Sequence, residues 1–173
     1  MVFEELAASR YSLRSFAQTP VEAEKVQRIL EVCRLAPTAC NNQPQRILVI
    51  DEAGALEKLK ACTGSHFGAP LAMLVCYDKT VAWQRQQDGH TSGEVDASIV
   101  GTHLMIQAAA LGLGSCWVMN FDPAAIIAQF GLPPHLVPVA LFPLGYPTAQ
   151  AKPSHLHNKR RPVEDMVTYQ SFA

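Results

Sequence analysis

Apolar residues recur along the chain in two rhythms. Val26, Ile29, Leu30 and Cys33, with Val32 beside them, fall at helical spacing, and a stripe of that period predicts an amphipathic helix. Thr19-Pro20-Val21-Glu22 stands just before it. Threonine as cap, proline in the first turn and glutamate three places after the cap form a capping box, so the helix is expected to open there and to stop before Pro37. Residues 3–8 predict a short helix ahead of it. The runs 46–50 and 71–77 read as strands, and 51–62 between them as a helix with Leu56 and Leu59 inward. Residues 78–94 are polar, lack a clean period and hold Trp83; loops of that length are more often functional or mobile than filler. Asp96 is expected to cap a helix running to Leu111 and closed by Gly112. That helix is apolar nearly all round, which predicts burial on every side and, in a small chain, help from a second subunit. A strand over 115–118, a helix from Asp122-Pro123 to Phe130 and a strand over 137–144 complete the pattern. Strands and helices alternate about one sheet, so the class is α/β or α+β.

At 173 residues the length suits one domain over 1–173. With 49% hydrophobic and 17% charged residues, the composition supports a real core and leaves fewer charges than a fully solvated surface carries. A net charge of −1 gives no global attraction to nucleic acid or to an anionic membrane, and neither partner is expected. The N-terminal segment does not read as a signal peptide, and the apolar stretch around residues 97–111 is too short and too polar to span a bilayer. Five scattered cysteines without a Cys-x-x-Cys pair suit reduced thiols, hence a cytoplasmic setting.

Three clusters carry candidate chemistry. Arg10-Tyr11-Ser12-Leu13-Arg14 places Arg10, Ser12 and Arg14 two apart, and in an extended segment such side chains share a face. They would converge on an anionic or acceptor-rich ligand, for which a guanidinium fork is suited; a solvated basic face before a helix is the plainer reading of the spacing alone. Pro37-Thr38-Ala39-Cys40-Asn41-Asn42-Gln43 is a small amide-rich loop whose side chains can pair with both donors and acceptors of a planar heterocycle, or else form an Asx-rich turn. Cys40 has no basic neighbour in sequence to activate it, so a packing or bystander role is favoured over a nucleophile. His157-Asn158-Lys159-Arg160-Arg161 reads as a phosphate clamp or as an exposed charge run. No metal-binding spacing stands out. Gly112-Leu113-Gly114 follows a helix and precedes a strand, the reverse of a dinucleotide loop.

Taken in order, these pieces resemble the nitroreductase family of FMN-dependent oxidoreductases, in one of its short members. The matching segments are Ser9 to Phe16, Ala36-Pro37-Thr38 with Asn41-Asn42-Gln43-Pro44, Val95-Asp96-Ala97-Ser98-Ile99, Leu111-Gly112-Leu113-Gly114-Ser115-Cys116-Trp117-Val118, Leu144-Gly145-Tyr146-Pro147 and Lys159-Arg160-Arg161-Pro162. The resemblance implies an α+β fold with a central mixed, mostly antiparallel sheet flanked by helices. It also implies an intertwined homodimer with FMN between subunits and a C-terminal arm from about residue 149 reaching the partner. By the same resemblance Arg10, Tyr11 and Ser12 hold the phosphate and ribityl region, and Arg14 faces the flavin's N1–O2 edge. Pro37, Thr38, Ala39 and Asn41 approach from the other subunit, Trp117, Val118 and Met119 pass beside N5, and Arg160 with Arg161 closes on the phosphate. Two positions depart from the family pattern. Met119 stands where short members often have glycine, and Asn158 where a lysine is frequent, leaving Lys159 or Arg161 to supply that charge. The implied activity passes hydride from NADH or NADPH through the flavin to a small-molecule electron acceptor (a nitroaromatic, quinone or enone) in a ping-pong cycle, with no acid–base side chain of its own. Trp83 and its loop are candidates for a lid. A flavin-binding carrier or sensor without turnover is the alternative, and a Cys40-dependent hydrolase a weaker one.

Overall fold

The computed structural model describes residues 2–172. Five α-helices, α1 (Phe3–Ser9), α2 (Ala23–Leu35), α3 (Ala53–Lys60), α4 (Gly93–Ala110) and α5 (Pro123–Phe130), pack on four strands, β1 (Gln45–Ile50), β2 (Leu71–Asp78), β3 (Gly114–Ser115) and β4 (Leu136–Gly145). The sheet order is β1-β2-β4-β3. Every ladder is antiparallel, from Gln45 opposite Tyr77 to Gly114 opposite Gly145. A parallel pairing enters through the bridge between Ser12 and Ser115, which lays the segment after α1 along the sheet edge. The α+β class and the mixed, mostly antiparallel sheet are therefore as the resemblance implies.

β2 explains why the core has two halves. All eight of its residues are buried, and successive side chains of a strand point to opposite faces. Met73 and Val75 join Ile29, Val100, Leu104 and Phe142 beneath α2 and α4. Ala72, Leu74 and Cys76 join Leu59, Ile126 and Leu141 beneath α3 and α5. A strand covered on both faces reads as an unbroken apolar run.

Several local expectations held for the stated reasons. Asp122 caps α5 by accepting from the Ala124 and Ala125 amides at 2.8 and 3.2 Å, Pro123 occupies the first turn, and Gly131 ends the helix at φ +63°. Gly112 leaves α4 at φ +76°.

Others did not. α2 starts at Ala23 with Glu22 in the cap position, and the Thr19 box does not form. The Tyr146 hydroxyl donates to both Glu22 carboxylate oxygens at 2.7 and 2.9 Å and accepts from Lys25 Nζ at 2.5 Å. A partner more than a hundred residues away thus outcompetes the local cap. α4 opens three residues before Asp96, which is no cap but a buried first-turn residue, 2% exposed. Within the single chain α4 is covered on one face: Ala97, Val100, Gly101, Leu104 and Ala108 are buried, while Val95 is 54% exposed and Thr102 is open to solvent on the opposite face, the side left to the expected second subunit. β3 stops at Ser115 rather than continuing to Val118. The Cys116 amide donates to the Pro143 carbonyl at 3.3 Å, but proline has no N–H to return the bond. Pairing resumes at Val118, which exchanges two 2.9 Å bonds with Leu141. Within 78–94, a bridge between Gln84 and Thr91 and the Arg85–Asp88 ion pair make a small hairpin, with Trp83 partly exposed before it.

α4 approaches the sheet closely through Gly101. A Cβ there would lie 2.6 Å from Phe142 Cζ and 2.7 Å from Trp117 Cζ3, two rings packed edge to face with centroids 4.9 Å apart. Gly101→Ala is expected to destabilise the fold by about 1–3 kcal/mol through overpacking. Urea denaturation would measure this, and an unchanged midpoint would refute it.

Candidate functional site

The segment leaving α1 sets the site. Leu13 is buried, and its amide donates to the Ser115 carbonyl at 2.9 Å. With Leu13 pinned inward, the alternating residues Arg10, Ser12 and Arg14 turn to one open depression of about 220 Å³, shared with Tyr11, Ser154, Leu156, His157 and Arg160. An adjoining hollow continues from Ser12 and Arg14 to Lys152. The shared face expected from the two-residue spacing is therefore realised, and it is met from the other end of the chain.

That far end is tied down locally. His157 Nε2 donates to the Ala8 carbonyl at 3.0 Å, and its ring meets the Tyr11 ring edge-on with centroids 6.3 Å apart. Arg160 Nη1 donates to the Lys159 carbonyl at 2.9 Å, holding its guanidinium at the rim. Among the described residues no carboxylate pairs with Arg10, Arg14 or Arg160. Three guanidinium groups brought together without a counter-charge repel one another, and an anion with several acceptor oxygens relieves that repulsion. The Cys116 thiol lies next to this group: burial pushes it up, while Arg14, the Ser12 hydroxyl and Arg10 pull against that shift. It is buried among apolar neighbours, not an exposed nucleophile.

The amide-rich loop is a second, separate feature. Thr38 Oγ1 accepts from the Gln43 amide at 3.0 Å, which closes the loop on itself around the turn Ala39–Asn41. Cys40, Asn41 and Gln43 all take positive φ, between 51° and 54°, a costly conformation for side chains other than glycine and asparagine. The Ala39 amide donates to Asp96 Oδ1 at 2.9 Å and Asn42 Nδ2 to the Val81 carbonyl at 2.9 Å. Pro37 and Asn41 remain exposed, with Thr38 and Ala39 half-buried between them.

The structure thus brings together Arg10, Tyr11, Ser12, Arg14 and Arg160 within one chain. Arg161 does not line the depression, nor do Pro37, Thr38, Ala39 and Asn41, nor Trp117, Val118 and Met119. The Trp117 ring packs on Phe142, Val118 is buried in its bridge, and Met119 is 67% exposed. Sequence reasoning missed Lys152, Ser154 and Leu156, and offered His157 only as part of the run 157–161 read as a phosphate clamp or an exposed charge run. Nothing local marks these residues, because the tail's return onto α1 is a long-range event. It also missed the tie between Asp96 and the loop, since an acidic residue opening a helix reads as a cap.

The nitroreductase family model matches residues 7–72 and 60–146. The chain is 42% identical to the crystal structure of a nitroreductase family protein from Clostridium difficile, with a TM-score of 0.93 and 99% of each chain covered. It is 26% identical to a structure described as an FMN-dependent nitroreductase from the same species, with a TM-score of 0.79 and coverage of 96% and 98%. A Thermus thermophilus protein named NADH dehydrogenase is 28% identical over 94% of this chain and 93% of its own.

Proposed function

The chain belongs to the nitroreductase family, and on that premise we propose that it is an FMN-dependent oxidoreductase that oxidises NADH or NADPH and reduces an electron-poor acceptor such as a nitroaromatic, a quinone or an enone. One observation carries the reading: Arg10, Arg14 and Arg160, from opposite ends of the chain, face one depression, and among the described residues no carboxylate pairs with them. A phosphomonoester near neutral pH carries close to two negative charges and several acceptor oxygens, which is what such a set can hold. FMN, when bound, would supply the redox chemistry, carrying two electrons between the nicotinamide and the acceptor.

The chain's own residues bind and orient. Arg10 and Arg160 grip the phosphate, with Ser12 donating beside them and Tyr11 flanking the ribityl region. Arg14 would stand near the N1–O2 edge, where a fixed positive charge favours the electron-rich flavin. Arg161, next in sequence to Arg160, would supply further positive charge to the same end of the ligand. Thr38, Ala39 and Asn41, on a loop stiffened by Thr38 and Asp96, belong to the site of a second copy, with Pro37 at the loop's entrance. Trp117, Val118 and Met119 form the wall beside N5, where Met119 narrows the space left for an acceptor. The exposed face of α4 and the arm from about residue 149, which leaves Leu156, Val163, Met166, Tyr169 and Phe172 exposed, are the surfaces a partner subunit would cover. Five unpaired cysteines suit a reducing, cytoplasmic compartment.

The test is anaerobic mixing of FMN-loaded protein with NADH or NADPH. Bleaching of the flavin absorbance near its visible maximum, followed by recovery on adding a quinone or nitroaromatic, is expected. A flavin that stays oxidised with both nucleotides overturns the activity. Reduction with recovery by oxygen alone would replace it by the carrier or sensor reading.

A further inference from the structure

One buried carboxylate connects the proposed flavin loop to the helix that would face the partner. Asp96 is 2% exposed and lies in the first turn of α4. Its Oδ2 accepts from Ser92 Oγ at 2.7 Å, and its Oδ1 accepts from the Ala39 amide at 2.9 Å. Ser92 is itself buried, and its amide donates to the Trp83 carbonyl at 2.8 Å. Among the described residues no lysine or arginine pairs with Asp96. A buried charge is tolerated only where donors answer it. Here these are one hydroxyl, one loop amide and the positive end of a long helix. The amide belongs to the turn that holds Cys40 and Asn41 at positive φ. That turn needs an outside restraint to keep its shape.

We propose that Asp96 is a positioning residue for flavin binding: it fixes the backbone of Ala39–Asn41 to α4, so that the loop meets the flavin of the facing subunit in one geometry. This rests on the reading that Thr38, Ala39 and Asn41 approach the flavin. The role needs an acceptor at Oδ1 and a partner for Ser92, not a proton transfer. Asparagine satisfies both, its carbonyl accepting from Ala39 and its amide donating to Ser92 Oγ. Alanine satisfies neither, and leaves the half-buried Ala39 amide without its acceptor.

The experiment compares Asp96→Ala, Asp96→Asn and the unaltered chain by amide hydrogen exchange without flavin and by FMN titration. In Asp96→Ala, exchange at residues 38–43 is expected to rise by about tenfold or more while Val100 and Leu104 keep their protection, and the FMN dissociation constant to rise by about 10- to 100-fold. Asp96→Asn should restore both to within about threefold. Unchanged exchange at Ala39 in Asp96→Ala overturns the anchoring, whatever the flavin does. Raised exchange with unchanged FMN affinity overturns the positioning role. Uniform loss of protection across α4 as well as the loop overturns it in favour of a general fold defect, and Asp96→Asn matching the alanine variant overturns it too. If the unaltered chain takes up no FMN, the reading of the site fails, and the exchange data still decide whether Asp96 holds the loop.

Discussion

Arg10→Ala combined with Arg160→Ala is expected to raise the dissociation constant for FMN by about 100-fold or more while changing that for riboflavin by less than about threefold. Each guanidinium would make charge-assisted bonds to the phosphate, worth about 1.5–3 kcal/mol when the partner is charged. Two such groups sharing one ligand couple, so their losses do not simply add, and the lower end of the sum, about 3 kcal/mol, sets the hundredfold floor. Riboflavin lacks the phosphate, so its affinity reads the ring contacts alone. The same variant separates binding from folding. Without a ligand, Arg10, Arg14 and Arg160 line one depression, and among the described residues no carboxylate pairs with them. Removing two of three like charges therefore leaves the apo protein as stable as before or slightly more so. Flavin fluorescence titration and a thermal melt of the apo protein would measure the two effects. Equal losses for FMN and riboflavin, or a lowered melting temperature that accounts for the weaker binding, would remove the phosphate role.

These arginines also show how much of the site was legible in the sequence. The two-residue spacing of Arg10, Ser12 and Arg14 predicted a common face, because an extended backbone alternates its side chains whatever surrounds it, and Leu13 buried between them is the complement of that rule. The helix signals at Asp122-Pro123 and Gly131 were legible for a similar reason: a cap, a fixed φ and a left-handed glycine act within one turn. Features decided by distant partners were not. Tyr146 takes Glu22 away from the Thr19 box. Asp96 is spent on the Ala39 amide rather than on capping. His157 reaches the site only because the tail folds back onto Ala8. The burial of α4 was half legible. Its composition called for apolar surroundings on all sides, and the single chain supplies them on one. The helix's remaining apolar face is thus a sequence signal that one copy of the fold does not explain.

That face yields the second large effect. On the proposed dimer, Val95→Asp together with Thr102→Asp is expected to raise the dissociation constant of the two copies by about 1,000-fold or more and to abolish FMN binding at micromolar flavin. Val95 and Thr102 are exposed in the single chain and lie two turns apart on α4, flanking an open hollow lined by Ser98 and Ile99. Because neither side chain supports the core, the variant should keep its fold, and far-ultraviolet dichroism with a thermal melt would check this. Around a two-fold axis the two substitutions place four carboxylates against apolar surface or each other, and unpaired charge juxtaposed in an interface costs several kcal/mol. The flavin effect follows from where the pieces lie. Arg10, Arg14 and Arg160 share a depression that does not include Thr38, Ala39 or Asn41, and the loop's link to α4 through Asp96 directs it with the helix. If the loop of one copy completes the arginine site of the other, separating the copies leaves an anion site without its ring contacts. Binding and association are then linked, so saturating FMN should shift the variant back towards dimer. Sedimentation at several flavin concentrations would read both equilibria at once. A folded monomer that binds FMN as tightly as the unaltered chain would show that the site is complete within one subunit, and would return Pro37, Thr38, Ala39 and Asn41 to the role of an ordinary surface turn.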